Sequence, residues 1–156
     1  MTNISLAQRF QEARAPKIEV DGRDIYSLYE IDVSSGETVL YLDFVSYKKS
    51  TIQGVNIKAS NCNVEINDQI LTDFVIWTDH SPQHIPLNVT IKKGGKAALK
   101  VWNVWECDGV SHAWIGNAGM LVKKEDRHIA FHCSDGTGEP DFEDLVFTID
   151  VGKVTK

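Results

Sequence analysis

Ile85-Pro86-Leu87-Asn88-Val89-Thr90-Ile91-Lys92 runs through Lys93-Gly94-Gly95 into Lys96-Ala97-Ala98-Leu99-Lys100-Val101-Trp102-Asn103-Val104-Trp105-Glu106-Cys107. Both arms repeat with a period of two and are rich in β-branched and aromatic residues, the pattern of strands. The paired glycines supply the positive φ angles of a tight turn, so this stretch predicts a hairpin joining 85–92 to 96–107. Within 99–107, Leu99, Val101, Asn103, Trp105 and Cys107 share one face, while Lys100, Trp102, Val104 and Glu106 share the other. Trp102 and Trp105 therefore point to opposite faces. One belongs in a core between two sheets, and the other lies outside it, under a loop, at a subunit contact or at a binding surface. Trp77 and Trp114 pose the same choice.

The same period extends outward from this stretch. Residues 25–33, 38–47, 54–59, 62–66 and 70–78 read as strands, separated by Ser34-Ser35-Gly36, Lys48-Lys49-Ser50 and Asn67-Asp68. Segments 113–123 and 128–133 follow, linked by a turn near Lys124-Glu125-Asp126, and 145–151 forms the last strand. About nine short strands with frequent turns predict an all-β fold, an antiparallel β-sandwich of jelly-roll type. The N-terminus differs. Ser5 and Gln8 have capping-box spacing, Leu6, Ala7, Phe10, Ala13 and Ala15 fall near one helical stripe, and Pro16 stops the helix. This divides the chain into a helical arm, 1–16, and a β-sandwich domain, 17–156. The helix plugs an end of the sandwich or arms a neighbouring subunit.

Composition limits the function. A chain of 156 residues with 42% hydrophobic and 24% charged residues is an ordinary globular domain able to bury its own core. A net charge of −6 argues against a nucleic-acid partner or an anionic membrane surface. The lysine pairs at 48–49, 92–93 and 123–124 are read as solvent-facing turns or edges. No stretch has the length of a membrane span, and no cleavable leader opens the chain. The three cysteines, Cys62, Cys107 and Cys133, favour reduced thiols and cytoplasmic synthesis, with leaderless export still open.

Chemistry concentrates in Asp135-Gly136-Thr137-Gly138-Glu139-Pro140-Asp141-Phe142-Glu143-Asp144, which leads directly into a strand. Carboxylates packed this closely repel one another and require open water or a cation. Hard oxygens on a tight loop suit Ca²⁺, so Asp135, Glu139, Asp141, Glu143 and Asp144 form a candidate calcium set, with a solvated acidic turn as the plainer alternative. Upstream, 109–119 is rich in small residues. Gly116 and Gly119 there mark bulges or close backbone approaches, and Trp114, Asn117 and His112 offer a ligand-binding rim if the segment folds against the acidic loop. The histidines lack the spacing of a zinc site. No nucleophile elbow or metalloprotease motif appears, and acids on one loop do not face each other across a cleft, so the chain reads as a non-enzyme.

Asp135-Gly136-Thr137, Asp141-Phe142-Glu143-Asp144 and the strand after them resemble the calcium loop of bacterial calcium-dependent fucose- and mannose-binding lectins, which reads roughly D-G-T-D-x-D-Y-N-D. The segment is also similar to loops of related calcium-binding β-sandwich domains. The resemblance implies ligand roles for Asp141, Glu143 and Asp144, with Glu139 shifted by one residue; Ser134 stands where the lectin pattern opens on an acid. It implies a calcium-binding module that takes carbohydrate. The other reading is a protein–protein interaction or assembly domain whose acidic loop is structural or solvated. Outward-facing aromatics together with the N-terminal helix further predict a homodimer.

Overall fold

A computed structural model of the protein describes residues 4–33, 37–92 and 96–153. The chain forms one helix, α1 (Leu6–Ala13), and fourteen strands among these residues. In order, the strands are β1 (Lys17–Val20), β2 (Arg23–Tyr26), β3 (Tyr29–Val33), β4 (Glu37–Tyr47), β5 (Ile52–Ser60), β6 (Cys62–Ile66) and β7 (Gln69–Leu71). They continue as β8 (Asp73–Trp77), β9 (His84–Ile91), β10 (Ala97–Cys107), β11 (Val110–His112), β12 (Gly119–Glu125), β13 (His128–Ser134) and β14 (Leu145–Lys153). A nine-stranded sheet, ordered β1-β2-β12-β13-β14-β4-β9-β6-β7, packs against a smaller sheet ordered β11-β10-β5-β8, in which β3 also pairs with β10. All pairings are antiparallel. The all-β sandwich expected from the two-residue period is the fold observed.

The main core lies between the sheets. Leu40, Leu42, Phe131, Phe147 and Ile149 of the large sheet meet Val55, Ile57, Leu99 and Val101 of the small one, all of them buried. Phe131 and Phe147 stack with centroids 4.5 Å apart, and Tyr29 of β3 meets Phe131 edge-on at 5.6 Å. These contacts fix which face of each strand is inward. Trp105 shares the inward face of β10 with Leu99 and Val101. Trp102 stands on the outer face, where Trp114 lies over it with ring centroids 4.8 Å apart.

Three connections differ from the sequence expectation, and in each the chain changes sheet. β9 pairs with β4 and β6, whereas β10 pairs with β3, β5 and β11, so 85–92 and 96–107 do not form a hairpin. Both edges of each strand are already taken by other partners. The turn Lys93-Gly94-Gly95 lies outside the described residues, as does Ser34-Ser35-Gly36. The segment 25–33 is two strands: β2 joins the large sheet, β3 joins the small one, and the break falls at Ser27 and Leu28. The segment 70–78 likewise splits at Thr72 into β7 and β8. Residues 113–118, expected as strand, form a loop before β12, and the β12–β13 turn sits one residue later than expected, with Asp126 at φ 58°.

The helix forms where expected. Ser5 Oγ accepts the Gln8 amide at 3.2 Å, and Arg14 closes the helix in the left-handed region at φ 52°. Leu6 and Phe10 pack with Ile18, Ile25 and Phe142 in a second, smaller core, so the helix covers part of the sandwich. No helix among the described residues is long and apolar enough to cross a membrane.

Candidate functional site

The acidic loop begins where β13 ends, and its first residue turns inward. Asp135 is fully buried. Its Oδ2 accepts from Thr51 Oγ1 at 2.9 Å and Gln53 Nε2 at 3.0 Å, and pairs with Lys48 Nζ at 2.8 Å. Its Oδ1 accepts from the Thr137 amide at 3.0 Å and the Thr137 hydroxyl at 2.6 Å. Asp144, at the entry to β14, closes the loop from the other end. Its Oδ2 accepts the Asp135 amide at 2.9 Å, and its Oδ1 lies 3.5 Å from Lys48 Nζ. Lys48 also donates to Thr137 Oγ1 at 3.0 Å.

The chain itself supplies one cation to the first and last carboxylates of the loop, the Lys48 ammonium. Lys48 follows β4, whose pairing with β14 shifts register and leaves Val45 without a partner on that strand, and the Lys48 amide donates to the Asp144 carbonyl at 2.9 Å. Lys48 was expected to be solvent-facing; it instead serves as the counter-ion of Asp135 and Asp144. A lone pair of lysines after a strand carries no signal for this, because the partner lies 87 residues away, from 48 to 135. Thr51 and Gln53 escaped the sequence reading for the same reason.

Burial alone would raise the Asp135 carboxyl, but hydrogen bonds from Lys48, Thr137 and Gln53 lower it to about 2. Burial tends to deprotonate Lys48, and the hydrogen bonds and charges of Asp135 and Asp144 outweigh it, so its ammonium is held above the ordinary value. Asp144 is raised, first by burial and then by the neighbouring charges of Asp135 and Asp141, against the opposing Asp135 amide and Lys48.

The remaining acids of the loop do not join this cluster. Glu139, Asp141 and Glu143 are not buried, and Asp141 Oδ1 caps the Glu143 amide at 3.1 Å. Among the described residues, no three His, Cys, Asp or Glu side chains are grouped to hold a metal ion. Phe142 between them turns inward at φ 58° and packs in the smaller core, with the Arg23 guanidinium 5.3 Å above its ring.

Segment 109–119 does fold against the acidic loop. Gly116, at φ 58°, faces the Gly136 carbonyl so closely that a Cβ there would collide with it. A Cβ on Gly136 would lie 2.5 Å from the Trp105 ring and 2.7 Å from the Ile115 carbonyl. Gly119 meets Ile25 and Leu6 in the same way. The three side chains expected to form a rim separate, however. Asn117 is a clip: its Oδ1 accepts the Leu6 amide at 3.1 Å, and its Nδ2 donates to the Gly138 carbonyl at 3.0 Å. The His112 ring leans on Trp105, with centroids 6.0 Å apart. Trp114 turns towards the helix.

Trp114 is 48% exposed at φ 59°, a conformation that costs a bulky side chain energy. Its indole Nε1 donates to the Ser27 carbonyl at 2.8 Å, and its ring lies on Trp102. It thereby walls a shallow groove of about 440 Å³ whose other side is α1 and the residues after it, including Phe10, Gln11, Arg14, Pro16 and Leu28. The histidines are engaged elsewhere: His84 with Asp43 and His128 with Asp150, each at 2.6 Å across neighbouring strands. Comparison with known protein families, characterised proteins and solved structures finds no match to this chain.

Proposed function

We propose that the protein is a non-catalytic binding module that takes a carbohydrate in the groove between α1 and Trp114. The observation that carries this reading is Trp114 itself. A half-exposed indole held at positive φ, hydrogen-bonded at one edge and backed by a second tryptophan, is strained in the backbone and fixed in orientation. Strain of this kind persists where the surrounding structure imposes it, and it collects at binding sites. The exposed ring offers a flat apolar surface to the C–H face of a sugar, while Gln11 and Arg14 supply donors and an acceptor for its hydroxyls. The groove volume falls within the usual range for small-ligand sites, roughly 300–1,000 Å³.

A glycan array with the native chain and with Trp114→Ala, each run in calcium and in chelator, tests the reading. The account expects signals that disappear in the variant and persist in chelator. A blank array with the native chain, or signals unchanged by the substitution, would remove it. A second reading is assembly with another copy of the chain, favoured by the exposed apolar side chains Val110, Trp114 and Ile115, which lie near one another in sequence. In that case sedimentation gives a dimer at tens of micromolar concentration that Trp114→Ala dissociates, and sugar has no effect.

A further inference from the structure

One side of the sandwich is open. β7 ends the large sheet, β8 ends the small one, and the chain passes between these two edge strands at Thr72. Beside them lies a cleft of about 400 Å³ walled by Leu71, Phe74, Val75, Ile76, Ile85 and Pro86. Three consecutive residues of β8 line it, so the cleft meets that strand along its edge. The Thr78 amide donates to the Gln53 carbonyl at 2.9 Å, and the Thr72 carbonyl accepts the Ala59 amide at 2.7 Å. Even-numbered residues of β8 therefore turn their backbone groups towards β5, with which β8 pairs in unbroken register. Backbone groups alternate along an antiparallel strand, which directs those of Asp73 and Val75 at the free edge. Among the described residues, no strand pairs there.

Exposed edges are usually blunted by lysine, proline or a bulge. β1, at the far end of the large sheet, carries exposed Lys17 and Glu19. β7 and β8 contain neither lysine nor proline, and Ile70 of β7 is 68% exposed. The charge here has one sign. Residues 59–91 hold none of the chain's 16 lysines and arginines, whereas Asp68, Asp73 and Asp79 are exposed in the β6–β7 turn, at the start of β8 and just past its end. Lys58 is opposite Asp73 on β5, on the side away from the free edge.

We propose that this side of the sandwich binds an extended basic segment of a partner protein. The segment adds a strand to β8, sets an apolar side chain in the cleft and places Lys or Arg against Asp73 and Asp79. Backbone hydrogen bonds to Asp73 and Val75 supply the affinity, and the cleft and the acids supply the preference, as is usual in strand addition. The cleft shares no lining residue with the Trp114 groove, so either site can fail without the other.

The test titrates the isotope-labelled native chain with two short capped peptides, one alternating Lys with Val and the other Glu with Val. The Lys peptide should shift the amides of β8 and of Ile85 and slow hydrogen exchange at Asp73 and Val75 about tenfold or more. The Glu peptide should leave both unchanged. Val75→Pro removes a donor from the free edge and spares the ladder to β5, so it should weaken binding of the Lys peptide about tenfold or more. The double variant Asp73→Lys with Asp79→Lys should weaken it by a similar factor, and it carries the test if Val75→Pro does not fold. Equal binding of the two peptides, shifts centred on Glu139, Asp141 and Glu143, or binding that survives in a folded variant would each overturn the proposal. So would protection of Asp73 and Val75 that appears in the concentrated native chain without peptide, which would assign the edge to a second copy.

Discussion

The loops at 113–118 and 135–144 touch through Gly116 and Gly136 and are tied by Asn117, yet they use their side chains in opposite ways. The acidic loop turns its first and last carboxylates inward, onto Lys48, Thr51, Gln53 and Thr137. Its neighbour turns an indole outward and holds it there against backbone strain. Dense charge in a sequence is therefore a poor guide to availability. What matters is whether donors elsewhere in the fold have already claimed the charges. By that criterion Asp135 and Asp144 are already engaged, whereas the Trp114 indole and the three outer acids face solvent.

The largest effects should come from the inward carboxylates. Asp135→Ala leaves Lys48 facing Asp144 alone and orphans the donors of Thr51 and Gln53, so it should cost about 3–5 kcal/mol in urea unfolding. Glu139→Gln and Glu143→Gln, a few residues away, should stay within about 0.5 kcal/mol of the native value. If the outer acids prove as costly as Asp135, the contrast within the loop collapses.

Acid titration sharpens the same point. The folded-state pKa of Asp135 is depressed to about 2, so its contribution is present above the unfolded carboxyl value and is lost as pH falls through about 2. It amounts to about 2–3 kcal/mol at neutral pH by linkage. Asp144, with a raised pKa, contributes in the opposite sense and gains stability on protonation, which partly offsets the loss. The stability of Asp135→Asn should be distinctly less dependent on pH between about 4 and 2 than that of the native chain.

At the contact between the loops, Gly136→Ala drives a methyl group into Trp105 and should destabilise the protein by about 1–3 kcal/mol. Trp114→Gly should have a smaller effect than Gly136→Ala, about 1 kcal/mol or less of either sign, because relief of the positive φ offsets the lost stacking on Trp102. A large loss of stability there would mean that Trp114 is a core residue in disguise.

The longer strands, the short N-terminal helix and its Ser5 cap could be read from the chain because each depends on residues within a few positions of one another, whereas β1 and β11 went unread. The changes of sheet could not be read. Apolar alternation through 25–33 or 70–78 looks the same whether the strand stays in one sheet or crosses at Leu28 or Thr72. Gly94 and Gly95 suggest a turn without saying which sheets it joins. The acidic loop was visible as a cluster, and so was the close approach at Gly116. Its counter-ion was not, because Lys48 meets Asp135 only once β4 and β13 have been placed on either side of β14. The groove depends equally on long-range packing, since Gln11 and Arg14 face Trp114 only after α1 docks on the sandwich.

The most direct test of the contrast between the loops is an amide and indole chemical-shift map of the native chain, titrated with a glycan selected from the array. The account predicts shifts at the Trp114 indole and at Gln11, Arg14 and Leu28, with Glu139, Asp141 and Glu143 unmoved. Shifts concentrated on those three acids, with the Trp114 indole unmoved, would contradict it.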